Sequence, residues 1–151
     1  MTTTTGKQDN FVDAIKNLIE LEYDTQALYK KAINTIENHN YKIKLNEFDQ
    51  DHAHHIEKLS ELLTNRKEQI PIMGGVIRPL INTIKVEFAN LIGDRAKLSS
   101  ILNNEIDVNK VYERMNARHD QLDEAKELLK QALQDEKKHR AWLEETIKSL
   151  D

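Results

Sequence analysis

Apolar residues in this chain recur in steps of three and four, the repeat of one face of an α-helix. The stretch from Leu122 to Leu150 carries the pattern clearly, with Leu122, Ala125, Leu129, Ala132, Leu143 and Leu150 on a common face. Glu136 and His139 fill two further positions of that face. Three residues apart on a helix, they project to the same side, one turn from each other. A carboxylate and an imidazole on a buried face need a partner, and a metal ion is the most economical one.

The same period predicts three earlier helical stretches. The first runs from about Asn10 to Glu37, with Asn10 as its cap and Asp13 as the reciprocal acid. Its inward stripe of Val12, Ile15, Ile19, Tyr29, Ile33 and Ile36 is interrupted by Glu22. Asn38-His39-Asn40 reads as a polar turn. The second helix runs from about Tyr41 to Asn65, with Leu45, Phe48, Ile56, Leu59, Leu62 and Leu63 inward. Its middle, FDQDHAHHIEKL, is rich in histidine and aspartate. By spacing, His52 and Asp49 point inward, His55 shares the Phe48 and Leu59 edge, and His54 points outward.

Pro71, Gly74 and Gly75 mark a long connection from Arg66 to Arg78, and Pro79 suits the first turn of a further helix. A link of this length after the second helix is where a bundle that is not simply up-down-up-down places its crossover. The third helical region runs from Pro79 to about Arg118 and is kinked or split near Gly93, with Asp94 as the cap of the restart. Leu98, Ile101, Leu102, Val108, Tyr112 and Met115 form its stripe, again interrupted by a carboxylate, Glu105. Asp120, with Asp123 three residues on, is the expected cap of the last helix. MTTTTGKQDN precedes the first helix, and residues 1–9 are expected to be a disordered tail ahead of one domain spanning 10–151.

Composition narrows the chemistry. The 151 residues include 32% charged and 38% hydrophobic residues but only four Gly and two Pro, a balance that suits long amphipathic helices. The net charge is −4 and the basic residues are scattered among acids, so nucleic acid is not an expected partner. The chain has no cysteine, which excludes disulfides, zinc-thiolate sites and iron–sulfur clusters. Any metal is therefore held by histidine, carboxylate or water, which points to iron, with manganese or zinc as alternatives. No apolar run approaches the ~20 residues of a membrane span, and the N-terminus lacks the apolar core of a signal peptide, so a cytoplasmic location is expected.

The two halves of the chain echo each other. Glu22 precedes Tyr29 by seven residues, and Glu105 precedes Tyr112 by seven. Asp49 and His52 stand three apart, as do Glu136 and His139. The order is Glu, acid-x-x-His, Glu, acid-x-x-His over four helices, the ligand pattern of carboxylate-bridged dinuclear sites in four-helix bundles. Four carboxylates in one apolar core would repel, and two divalent cations would hold them ionised. The expected ligands are Glu22, Asp49, His52, Glu105, Glu136 and His139, with Asp51 and His55 as alternates in the second helix. Tyr29 and Tyr112 are expected to be core residues with satisfied hydroxyls.

On these residues the chain resembles the ferritin-like superfamily from roughly Phe11 to Leu150. EKKHRAWLEE (Glu136–Glu145) resembles the last-helix motif of these proteins, and the Glu22/Tyr29 pair resembles their first-helix motif. The stretch from Met73 to Tyr112 is closer to small bacterial ferritin-like bundles than to the cage-forming ferritins. The resemblance implies an all-α, ferritin-like four-helix bundle with a di-iron or di-manganese centre that oxidises ferrous iron with oxygen or peroxide. It departs from the family's pattern in the second helix, where aspartate stands for the usual glutamate. A homodimer or higher homo-oligomer is expected. The rival expectation is a structural or stress-related dimeric bundle with a vestigial or single-metal site and no turnover. A third is a bundle that binds a small molecule or partner helix.

Overall fold

The computed structural model describes residues 3–72, 88 and 90–150, and these form four α-helices and no strand. They are α1 (Phe11–Thr35), α2 (His39–Asn65), α3 (Asp94–Ala117) and α4 (Asp123–Ser149). The all-α bundle expected from the apolar spacing is present. The helix expected from Pro79 to Leu91 lies almost wholly outside the described residues, and with it the kink or split. From Asp94 onward α3 is one continuous helix.

Helix α1 packs on α2 and α3 on α4, while α1 also meets α3 and α2 meets α4. Every one of these neighbours is antiparallel. Tyr29 and Glu22 of α1 bond in reverse order to Glu105 and Tyr112 of α3, and Asp51 and His55 of α2 bond in reverse order to His139 and Asp135 of α4. The directions are therefore up, down, down, up. The end of α1 touches the start of α3, where Asp94 accepts the Glu37 and Asn38 N–H groups at 2.8 and 2.9 Å. The end of α2 lies by the start of α4, where Arg66 meets Glu124. The end of α2 and the start of α3 thus lie at opposite ends of the bundle, about 36 Å apart along its axis for a 24-residue helix. Much of the Pro- and Gly-containing link expected to make the crossover lies outside the described residues.

Local chemistry sets most helix ends. Asn10 caps α1 by accepting Asp13 N–H, and its amide returns a bond to the Asp13 carboxylate, as expected. Asn38 accepts the Asn40 and Tyr41 N–H groups, so α2 begins at His39, where a turn was expected. Asp94 does not cap its own helix, because its carboxylate is committed to residues 37 and 38. Gly93, at φ +86°, is the cap of α3, in a left-handed conformation that suits glycine. Asp120 likewise does not cap α4, since it forms a two-pronged pair with Arg118. Residues 3–8, expected as tail, lie against α3: Arg114 donates to the Thr3 and Thr5 carbonyls and Arg118 to those of Gly6 and Gln8.

The interior has three layers. At one end Ile15, Leu18, Ile19, Leu59, Leu63, Val108, Val111, Met115 and Leu129 form an apolar plug. At the other, Leu28, Ala32, Ile36, Leu45, Phe48, Leu98, Ile101 and Leu143 form a second. Between them lies a fully buried polar layer, including Glu22, His52, Glu105, Glu136 and His139 at 0% exposure and His55 at 1%. Among the described residues no helix is long and apolar enough to cross a membrane.

Candidate metal centre

Each helix delivers its polar residues from the middle of an apolar stripe, so the flanking leucines and isoleucines bury them. Helix α1 supplies Glu22, α2 supplies His52 and His55, α3 supplies Glu105, and α4 supplies Glu136 and His139. These side chains form two overlapping groups that could each hold a metal ion: Glu22, His52, His55 and Glu136, and His52, Glu105, Glu136 and His139. Glu136 and His52 belong to both.

The distances show how the two groups share atoms. In the first, His52 Nδ1 lies 2.9 Å from Glu22 Oε2 and 3.3 Å from Glu136 Oε1, and His55 Nδ1 lies 3.6 and 3.3 Å from the same two oxygens. In the second, His52 Nε2 lies 3.0 Å from Glu105 Oε1, and His139 Nδ1 lies 3.3 Å from Glu136 Oε2 and 3.8 Å from Glu105 Oε1. The contacts follow a pseudo-twofold pattern between α1–α2 and α3–α4: Glu22 corresponds to Glu105, His55 to His139, and His52 to Glu136.

The surrounding bonds obey the same symmetry. Tyr29 donates to Glu105 at 2.7 Å and Tyr112 to Glu22 at 3.1 Å, so each tyrosine hydroxyl is satisfied, by the glutamate of the opposite helix. His55 Nε2 contacts Asp135 at 2.9 Å, and His139 Nε2 contacts Asp51 at 2.8 Å. A carboxylate behind a histidine fixes the tautomer and turns the other nitrogen toward a ligand. Asn109 donates to the Glu105 and Glu136 carbonyls and ties α3 to α4 at this level. Phe48 lies over His139, with ring centroids 4.2 Å apart.

The inner atoms are left over. His55 Nδ1, His139 Nδ1, both Glu136 carboxylate oxygens and Glu105 Oε2 are buried without a hydrogen-bond partner. Orphaned polar atoms are rare in folded interiors, and here they converge on one space. The donor set, imidazole nitrogen with carboxylate oxygen, suits a divalent metal ion.

Electrostatics reflect the crowding. Burial opposes charge on His55, but Asp135, Glu136 and Glu22 raise it to about 11. Burial likewise opposes charge on His139, but Asp51, Glu105 and Glu136 raise it to about 10. His52 is pushed well above its ordinary range, against burial, by Glu136, Glu22 and Glu105. Burial would lift Glu22 and Glu136, yet the neighbouring His52 holds both below their ordinary range. Burial and the Glu136 charge lift Glu105. Asp51 is lowered to about 2, chiefly by its bond with His139. Without cations the layer holds three imidazoles and three carboxylates that compensate one another; with cations the imidazoles must give up protons.

Five of the six expected ligands come together: Glu22, His52, Glu105, Glu136 and His139. Asp49 does not join them. It is half-buried and stands outside both groups, and its Oδ1 has no hydrogen-bond partner. His55, an alternate in the sequence reading, takes the histidine position, and His52 moves to the position expected for an acid. Asp51, the other alternate, is not in either group and instead orients His139. The expected register in α2 was therefore one step of three residues early. His54 is exposed, as expected.

No protein-family model matches this chain, and neither a curated protein nor a solved structure matches it.

Proposed function

We propose that this chain is a ferritin-like dinuclear metal protein that binds two ferrous ions and promotes their oxidation by oxygen or peroxide. The convergence of fully buried nitrogens and oxygens that lack a hydrogen-bond partner, backed by Asp51 and Asp135, carries the reading. Glu22 and His55 serve one ion and Glu105 and His139 the other, with Glu136 between them. Iron supplies the electrons when bound. The chain supplies position, negative charge and exclusion of water. Tyr29 and Tyr112 hold the two terminal glutamates in place, and the apolar plugs keep the layer dry.

Three histidines, where the usual pattern has two, favour iron or zinc over manganese, because imidazole suits the former and carboxylate the latter. Anaerobic titration with ferrous iron is expected to saturate at two ions per chain, and subsequent addition of oxygen to give uptake coupled to iron oxidation. Glu136→Ala, which removes the shared carboxylate, is expected to abolish that stoichiometry. Unchanged binding in Glu136→Ala defeats the site assignment. Two bound ions without oxygen or peroxide consumption leave a metal-binding bundle without turnover.

A further inference from the structure

We infer that His52 is a bridging ligand, presenting Nδ1 to one metal ion and Nε2 to the other. The inference rests on the dinuclear reading above and specifies how the two ions are joined. Its starting point is a mismatch in the pseudo-twofold pattern. The other carboxylates, imidazoles and tyrosines named at the site correspond in like pairs: Glu22 with Glu105, His55 with His139, Tyr29 with Tyr112, and, behind the histidines, Asp51 with Asp135. Only His52 faces a residue of different chemistry, Glu136. Glu136 offers Oε1 to the first group and Oε2 to the second, as a bridging carboxylate does.

The His52 ring is placed to do the same. Its Nδ1 lies 2.9 Å from Glu22 Oε2, on the side of His55, and its Nε2 lies 3.0 Å from Glu105 Oε1, on the side of His139. The other two histidines differ in kind. Each spends Nε2 on an aspartate outside the layer and keeps Nδ1 for the interior. Both of His52's ring nitrogens meet carboxylates of the layer itself, one from each group. The ring is held in this attitude by Tyr29 and His139, both with centroids 5.0 Å away.

Charge agrees with geometry. An imidazole coordinated through both nitrogens has given up both ring protons to solvent and carries one negative charge. With Glu22, Glu105 and Glu136 it makes four negative charges, matching two divalent cations in a dry layer. Geometry also sets the consequence. The ring nitrogens point to opposite sides of a rigid five-membered ring, so the ions stand farther apart than the ~3.5–4 Å usual in two-metal sites.

The test uses the full chain, stripped of metal by chelation and loaded with two equivalents of zinc(II), which is redox-inert. X-ray absorption at the zinc edge is expected to show no zinc–zinc vector at ~3.5–4 Å and outer-shell scattering from two imidazole rings per zinc. His52→Glu, which restores a carboxylate bridge, is expected to keep two zinc ions, bring them to ~3.5–4 Å and halve the imidazole count. His52→Gln is expected to lose the second zinc. If neither variant folds, the spectrum of the unmodified chain still decides. A short zinc–zinc vector there, or saturation at one zinc per chain, overturns the bridge and leaves metal binding intact. Absence of any bound zinc overturns the metal reading beneath it.

Discussion

Asp51 and Asp135 each stand four residues before a histidine in sequence, yet each bonds the histidine of the other helix. Each therefore aims one Nδ1 into one of the two groups. Removing the charge while keeping the shape, in Asp135→Asn or Asp51→Asn, is expected to weaken zinc binding about 10–100-fold. The loss falls on the His55 group in the first variant and the His139 group in the second, and competition against a chromogenic chelator measures it. Equal affinity in all three chains would mean that the aspartates do not orient the histidines. The tyrosines act on the carboxylates in the same manner. Tyr29→Phe removes the hydroxyl that donates to Glu105 and leaves a buried oxygen without it. The metal-free chain is expected to lose about 1–3 kcal/mol, read from denaturant unfolding.

At the scale of the element, α4 concentrates the interaction, because Glu136 faces His52, His55 and His139 together. Glu136→Gln leaves three histidines with one fewer charge to balance them. It is expected to destabilise the metal-free chain by about 3–5 kcal/mol, the cost of removing one partner of a buried pair. Much of this element was legible in the sequence, because Glu136 and His139 interrupt a stripe whose other members are apolar. Glu22 and Glu105 were legible for the same reason. Helix α2 was harder, since Asp49, Asp51, His52 and His55 all lie near its inner side. Matching Asp49/His52 to Glu136/His139 places the apolar Ile56 against Leu143. Matching His52/His55 to Glu136/His139 does equally well, because Leu59 then aligns with Leu143. The aspartates break the tie: Asp51-His52-x-x-His55 parallels Asp135-Glu136-x-x-His139. A search for an acid at the bridging position excludes that register, and here an imidazole occupies it. Asp94 and Asp120 fail as caps for a related reason. A cap signal is local, and both carboxylates are claimed by groups outside their own helix.

Across the whole molecule, the up-down-down-up arrangement brings four helix midpoints to one level and seals that level with an apolar plug on each side. The metal-free layer then has a definite pH response. His55 and His139 are raised from 6.5 to about 11 and about 10. Their stabilising effect is fully present below pH ~6.5 and is lost as pH rises through those folded values. Thermal unfolding of the metal-free chain is therefore expected to move to lower temperature between neutral pH and pH about 10, the His139 value. Metal reverses the dependence, because it needs the histidines unprotonated. Metal uptake is expected to acidify a weakly buffered solution and to tighten as pH rises, which calorimetry in buffers of different ionisation enthalpy would quantify. Uptake without proton release would place the metal away from the three histidines.

The measurement that bears most directly on the buried layer is anomalous diffraction from crystals grown with iron or zinc, collected on both sides of the metal's absorption edge. Two anomalous peaks are expected, one among Glu22, His52, His55 and Glu136 and the other among His52, Glu105, Glu136 and His139. Peaks confined to surface residues such as the exposed His54, with none in the layer between the apolar plugs, would contradict the account.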